Sequence, residues 1–396
     1  VTTANGTPLS VAFVDSGKAG WTGGETYRAN LLEALGSYAP QLEVYLVTNA
    51  SAESNGARHY KTFPLPFANH RIVHLANRFL NLRLGYDHLL RNTLAKTPRG
   101  GVDVVFPGPY GVGNGAALLY WIPDFQFLHL PDMYTKTAIA GIVSSFKRGA
   151  RRASLVVLSS EDAKRDFCAF VPEMVDKARV MNFVSRVPSS VYEKDARDIL
   201  CKYSLPERFI YLPNQFWKHK NHILVLDALR ILKGKGVRPF VAFTGNPIDS
   251  RDPAFFAELL QTISVWGLRE QVAFLGLVPH DDVFSLIRQS VCVLNPSLFE
   301  GWSTTVEETK SIGKRILLSD ISVHREQNPP ASIYFDPRNA EALAKELHVV
   351  WNDAKAGPDV ELESAAQRSQ PARMRAFAET FVAIAGEAAR LAKVRG

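Results

Sequence analysis

Short apolar runs alternate with longer amphipathic stretches from residue 9 almost to the end of the chain. LSVAFV (9–14), EVYLV (43–47), VDVVF (102–106), LLYWI (118–122), SLVVLS (154–159) and RVMNF (179–183) read as strands, and a glycine-rich turn and a helix from about Gly24 to Leu35 follow the first. Most runs are continuously apolar, as in a parallel sheet covered on both faces. The pattern restarts after about residue 205. FIYLP (209–213), PFVAFTG (239–245), VAFLG (272–276), VCVLNPS (291–297), RILLSD (315–320) and SIYFD (332–336) read as strands, with helices near 219–234, 253–266, 281–289, 304–312 and 339–351. This rhythm predicts two Rossmann-like, doubly wound α/β domains. The joint falls near 188–206, and the alanine-rich tail (361–394) reads as one or two amphipathic helices.

In open parallel sheets ligands sit beyond the C-terminal ends of the strands. Two such domains facing each other would form a cleft with one substrate on each wall. With 396 residues, 46% hydrophobic and 21% charged, the chain has core material for both. Cys168, Cys201 and Cys292 show no metal or redox spacing, which points to a reducing compartment. The first residues lack the features of a secretory signal, and no run reaches the ~20 apolar residues that cross a bilayer. A cytoplasmic protein is expected.

The net charge of +7 is concentrated, because residues 51–100 hold eight Lys or Arg against two Asp or Glu. Residues 67–96 set Arg71, Arg78, Arg83, Arg91 and Lys96 among Leu and Phe at partly helical spacing. That pattern suits peripheral contact with the inner face of an anionic membrane, or cover for a lipid-linked diphosphate acceptor. Core packing with a solvated face is the competing reading. Nucleic acid is not an expected partner, since aromatic and basic residues do not interleave on strands.

The densest signal is NPSLFEGWSTTVEETKSIGK (295–314). A strand ends at Asn295, and Ser303, Thr304 and Thr305 offer hydroxyls to cap a helix that stops at Gly313. Thr304 with Glu307, and Thr305 with Glu308, fit capping-box spacing. Amides at such a helix start, reached through Gly301, can cradle a phosphate. Glu300 and Glu308 bracket that cradle, and each carboxylate can accept hydrogen bonds from a sugar diol. A nucleotide-sugar has this layout of hexose, pyrophosphate and ribose. After strand 209–213, Lys220 in NQFWKHKNH (214–222) is a compact positive charge suited to pyrophosphate. Gly245 is expected to let the chain approach the nucleotide closely, and backbone groups of 276–279 to hold the base.

These residues resemble the retaining glycosyltransferases of family 4. Their signature of two glutamates seven residues apart, P-S-x-x-E-G-[FW]-x-x-x-x-x-E, stands here as Pro296, Ser297, Glu300, Gly301, Trp302 and Glu308. The resemblance implies the GT-B fold: residues 1–200 as the acceptor-binding domain, 201–375 as the nucleotide-sugar domain, and a final helix (376–396) packing back on the first domain. It implies that Glu300 holds the donor hexose and Glu308 the ribose, with amides near Gly301, Trp302, Ser303 and Thr304 facing sugar and pyrophosphate. Lys220 matches the family's phosphate-binding lysine. Gln215 stands where an arginine is usual, leaving Lys220 the larger share, with His219 and His222 as possible helpers. The donor would be GDP- or UDP-linked, GDP-mannose among the candidates, and no metal or other cofactor is expected. The setting would be bacterial polysaccharide or lipopolysaccharide synthesis, on a saccharide or lipid-linked acceptor.

On the acceptor side the turn GWTGGETY does not match G-x-G-x-x-G, which argues against a dehydrogenase. Gly23 and Gly24 correspond in the family to a flexible loop near the donor phosphates. In YWIPDFQFLHLPDMY (120–134), Asp124 or His129 is placed to orient the acceptor hydroxyl or take its proton. Pro123-Asp124 occupies the place of the family's usual His-Asp pair, and His129 is the candidate substitute. A nucleotide-sugar epimerase or phosphorylase of the same architecture, and a non-catalytic sugar-binding protein, are the rival readings.

Overall fold

The computed structural model describes residues 7–14, 22–48, 60–64, 87–108, 112, 113 and 115–395. The chain divides into two compact units. The first comprises residues 1–125, 135–184 and 372–396; the second comprises 126–134 and 185–371. The division falls at 184/185 rather than 200/201, and residues 126–134, read above as acceptor wall, pack in the second unit.

The first unit is built on a seven-stranded parallel sheet, in the order β3-β2-β1-β4-β5-β6-β7. Its strands are β1 (Ser10–Val14), β2 (Glu43–Thr48), β3 (Lys61–Pro64), β4 (Val104–Phe106), β5 (Ala117–Ile122), β6 (Leu155–Leu158) and β7 (Ala178–Val180). Helices α1 (Thr22–Tyr38), α2 (His88–Leu94), α4 (Lys136–Arg152) and α5 (Glu161–Phe170) belong to it, whereas the short α3 (Gln126–His129) belongs to the second unit. Strands β4, β5 and β6 are almost wholly buried, which accounts for their unbroken apolar sequences. Strand β3, KTFP, escaped the sequence reading because it is a mostly exposed edge strand with no apolar run to mark it. Ser160 caps α5 by accepting from the Ala163 amide at 2.9 Å, as its place before Glu161 and Asp162 suggested. Gly23 and Gly24 lie in the first turn of α1, not in a loop. Of the basic stretch, residues 67–86 fall outside the described residues, and His88–Leu94 form α2.

The second unit repeats the plan with six parallel strands, ordered β10-β9-β8-β11-β12-β13. They are β8 (Ile210–Pro213), β9 (Val241–Thr244), β10 (Val272–Phe274), β11 (Cys292–Asn295), β12 (Ile316–Ser319) and β13 (Ser332–Phe335). The helices are α6 (Ser190–Glu193), α7 (Asp198–Tyr203), α8 (His222–Gly234), α9 (Phe255–Val265), α10 (His280–Gln289), α11 (Thr304–Ile312), α12 (Ser322–Gln327) and α13 (Ala340–Asp353). Successive side chains of a strand point to opposite faces. Ile210 and Leu212 accordingly join one buried cluster with Leu224, Leu229 and Leu347, while Phe209 and Tyr211 join another with Phe284, Ile287 and Val306. Strand order reverses between β8 and β11, the position where ligands bind in sheets of this kind.

The tail is one helix, α14 (Val360–Arg395), containing Pro371. Residues from Ala372 onward pack in the first unit. Phe381 meets Phe13 and Phe106 at ring distances of 5.3 Å, Phe377 meets Tyr27 at 5.8 Å, and Glu387 pairs with Arg179. Phe381 is fully buried. Phe381→Ala should therefore cost about 3–5 kcal/mol, because truncating a buried phenylalanine removes transfer energy and leaves a cavity. Calorimetric unfolding measures this, and an unchanged transition would show that the helix is not part of the first core.

Candidate active site

The ends of β8 and β11 are joined by side chains. Asn214 Nδ2 donates to Asn295 Oδ1 at 3.1 Å. The same oxygen accepts the Ser297 amide at 3.3 Å and lies 2.7 Å from Ser297 Oγ, while Asn295 Nδ2 donates to Ser303 Oγ at 2.8 Å. Thr305 Oγ1 donates to Asn214 Oδ1 at 3.0 Å. All of these groups are buried, and a fully partnered buried network fixes one geometry. It sets the path of the 296–303 loop and the start of α11.

Ser303 is the N-cap of α11, its Oγ accepting from the Val306 amide at 3.4 Å. The capping boxes expected from Thr304 and Thr305 are not formed, because the cap stands one residue earlier and Val306 occupies the third helical position. Glu307 turns inward to Gln327 Nε2 at 3.2 Å. Gln327 also accepts the Ser303 amide at 3.1 Å and donates to the Ser303 carbonyl at 3.0 Å. The Ser303 amide is thus committed to Gln327 and is not a phosphate donor. Thr304 and Thr305 open the helix, where amides have no partner within the helix and can hold an anion.

Glu300 and Lys220 form a buried ion pair. Lys220 Nζ donates to Glu300 Oε1 at 2.7 Å, and Ser297 Oγ lies 2.7 Å from that same oxygen. The side chains are 9% and 13% exposed for Glu300 and Lys220 respectively, so each charge depends on the other. Burial pushes the Glu300 carboxyl upward, but the Lys220 ammonium and the Ser297 hydroxyl outweigh it and hold it below the usual carboxylate range. Oε1 thus carries both of these contacts. Lys220 closes a single 3-10 turn (Lys218–Lys220) ahead of α8, so the helix begins three residues later than expected. Glu308 is also buried, and its Oε1 lies 2.8 Å from Nε2 of the exposed His280 at the start of α10. Burial lowers the His280 pKa, but the Glu308 carboxylate more than reverses this and raises it.

Other expectations change. Gln215 Oε1 accepts the Asn246 amide at 2.6 Å, a neutral tie between the loops after β8 and β9. Gly245 has φ +144°, and a Cβ there would stand 2.3 Å from the Asn214 carbonyl oxygen. This conformation brings Gly245 against the backbone of Asn214 and Gln215. His222 is fully buried, stacked on Phe216 at 4.7 Å, and burial pushes it down to about 3; it is a core residue, not a phosphate contact. His219 is buried beside Arg251, with Arg251 Nη2 3.5 Å from Nδ1. Burial first, then the charges of Lys220 and Arg251, hold it neutral. Asp124 follows β5, half-buried, in the first unit. His129 packs in the second, its ring stacked on Phe299 at 4.9 Å and 29°. Gly301 and Trp302 are half-buried in the loop before the cap.

Four residues near these groups were given no role by the sequence reading: Asn295, Gln327, His280 and Arg251. Asn295 and His280 end or adjoin stretches already singled out, and Gln327 lies outside them. Nothing local marks Arg251. Among the described residues no group of three or more His, Cys, Asp or Glu could hold a metal ion, and no helix is long and apolar enough to cross a membrane.

Residues 202–369 match the family model described as "Glycosyl transferases group 1". No curated protein matches the chain. Among solved structures, Anabaena Alr3699/HepE in complex with UDP and glucose is similar with a TM-score of 0.59 at 16% identity, covering 98% of this chain and 99% of that one. Sucrose-phosphate synthase from Thermosynechococcus elongatus is similar with a TM-score of 0.61 at 14% identity, over 98% and 99%. WaaG, a glycosyltransferase involved in lipopolysaccharide biosynthesis, gives 0.59 at 14% identity, over 93% and 95%. The chain has the fold of these proteins along nearly its whole length.

Removing one partner of a buried ion pair strands the other charge, at a cost of about 3–5 kcal/mol. Lys220→Met should show a loss of that order in urea unfolding at pH 8. Without its cation Glu300 has a folded pKa above its unfolded value, so the loss fades as pH falls below the carboxylate range, where both states are protonated. A loss independent of pH would refute this account.

Proposed function

We propose that the protein is a retaining glycosyltransferase: it binds a nucleoside diphosphate hexose on its second unit and passes the hexose to a saccharide or lipid-linked acceptor bound by its first unit. The observation that carries this reading is the pair of buried carboxylates, Glu300 before α11 and Glu308 within it, each with one oxygen engaged and the other left for a ligand. Glu300 Oε2 receives hexose hydroxyls, and Glu308 receives the ribose diol in place of His280. Lys220 keeps one N–H on Glu300 and turns the others to the pyrophosphate, and the amides of Thr304 and Thr305 complete the anion cradle. The match over residues 202–369 supports the assignment. UDP and glucose in the Alr3699/HepE complex make UDP-glucose the first donor to test, and GDP-mannose the second. The WaaG likeness makes lipopolysaccharide or related polysaccharide synthesis the setting to examine.

In the reaction the bond from hexose C1 to the phosphate oxygen breaks, and the acceptor oxygen bonds to C1 on the same face. The acceptor proton passes to the departing phosphate oxygen, which leaves as nucleoside diphosphate. Lys220 and the helix amides stabilise the negative charge that grows on that oxygen. In this reading Asp124, a residue of the first unit, orients the acceptor hydroxyl.

Calorimetric titration with UDP- and GDP-sugars tests the donor site, and failure of all of them to bind would sink it. With a binding donor in hand, Glu300→Gln and Glu308→Gln should each lower kcat/KM for transfer by ~100-fold or more, as loss of charged hydrogen bonds in a closed site does, with the unfolding midpoint retained in Glu308→Gln and lowered in Glu300→Gln, which leaves Lys220 without its carboxylate. Donor sugar rearranged without any acceptor would point to an epimerase instead.

A further inference from the structure

Residues 126–134 leave the first unit's sequence and pack in the second, and a single guanidinium holds both of their ends. Arg251 lies beyond β9. Its Nε and Nη2 donate to the two oxygens of the buried Asp249 carboxylate at 3.0 and 3.1 Å. Its Nη1 donates to Gln126 Oε1 at 2.9 Å and to Tyr134 Oη at 3.3 Å, while the Tyr134 hydroxyl donates to Gln126 Oε1 at 2.5 Å. The rings of Tyr134 and Trp217 lie 5.6 and 5.4 Å from the guanidinium carbon.

Two lines of contact run from this centre to Glu300. One passes through His219, whose Nδ1 is 3.5 Å from Arg251 Nη2 and whose carbonyl accepts the Leu298 amide at 2.8 Å; the next residue is Lys220, paired with Glu300. The other passes through Gln126 and Tyr134 to the segment between them, where His129 stacks on Phe299, the residue before Glu300. We propose that Arg251 is a positioning residue of the donor site: from one guanidinium it sets the poses of Lys220 and His129 around Glu300, and residues 126–134 serve as a wall of the hexose-binding loop instead of an acceptor wall. This rests on the donor-site reading given above. A lysine cannot replace it, because one ammonium lacks the planar fork that reaches Asp249, Gln126, Tyr134 and His219 together.

The test compares wild type, Arg251→Lys, Tyr134→Phe, His129→Ala and the Arg251→Lys/His129→Ala double variant, using UDP-glucose and GDP-mannose as donors. Calorimetry gives donor affinity, and turnover gives KM for donor and acceptor separately. Arg251→Lys should weaken donor binding and raise donor KM about tenfold, as a displaced binding group does, and leave acceptor KM unchanged. His129→Ala should act in the same direction. The loss in the double variant should then be smaller than the product of the single losses, since both act partly through one contact. Tyr134→Phe keeps the Asp249–Arg251–His219 side intact and guards against misfolding of the arginine variant; it should raise donor KM by a smaller factor. The proposal is overturned by unchanged donor affinity in Arg251→Lys despite a lower unfolding midpoint, which marks a purely structural clamp, or by a selective rise in acceptor KM. Multiplying effects of Arg251 and His129 also overturn it. A wild type that binds no nucleotide-sugar overturns the donor site and this proposal with it, whereas a binding wild type with an indifferent Arg251 overturns this proposal alone.

Discussion

The site depends on one carboxamide. Asn295 ends β11 with its side chain wholly buried, and it must satisfy donors and acceptors on both sides at once: Asn214 and Ser297 at its oxygen, Ser303 at its nitrogen. An aspartate has no donor for Ser303, and an aliphatic residue would take the acceptor away from the Asn214 side-chain amide and the Ser297 backbone amide in the interior, each at a cost of about 1–3 kcal/mol. Because Asn214 follows β8 and Ser303 caps α11, this amide links the two strands at the reversal point of the sheet to the helix that starts beyond them. The ligand-facing groups are placed by a neutral buried network, and the charges are then added to it.

Those charges are arranged as two pairs of different character. Lys220 and Glu300 are both buried, so neither is screened by solvent and each fixes the ionisation of the other. Glu308 is buried but its partner His280 is exposed, which makes the second pair weaker and dependent on protonation. With the His280 pKa raised, the pair holds fully below the ordinary histidine value and is lost as pH rises through the elevated one. The Glu308 side of the site is therefore the easier to open. In the proposed reading a ribose diol has only a surface histidine to displace, whereas a hexose at Glu300 has to share a carboxylate with its lysine.

Much of this was legible in the sequence, for identifiable reasons. Buried parallel strands leave continuous apolar runs, so the β8 to β13 series and the span of α11 could be read directly, and a glutamate before a glycine at a strand end marked Glu300. Three adjacent hydroxyls, Ser303, Thr304 and Thr305, stood as candidate caps, and only the packing of Asn295 and Gln327 selects Ser303. The approach of Gly245 to Asn214 was not legible, because the sequence marks a close backbone contact without naming the neighbour. Residues 126–134 were assigned to the wrong unit since their attachment comes from Arg251, more than a hundred residues away, and no local pattern encodes it.

The cations near Glu300 also show why Lys220 must do more than pair. Gln215 brings no charge to the place where the resemblance leads one to expect an arginine, and it is taken up in holding Asn246. Lys218 faces Asp252 at 3.4 Å, and the charge of Arg251 is neutralised by Asp249. His219 and His222 are buried and neutral. Among these groups only Lys220 has a carboxylate partner that the proposed substrate would itself engage. A pyrophosphate arriving with the hexose offers Lys220 new acceptors at the moment Glu300 gains sugar hydroxyls, so the ion pair loosens on both sides together and neither charge is left bare. In that proposed arrangement the buried pair keeps the empty site stable and supplies, in Lys220, a side-chain cation that joins the amides of Thr304 and Thr305 in meeting the diphosphate.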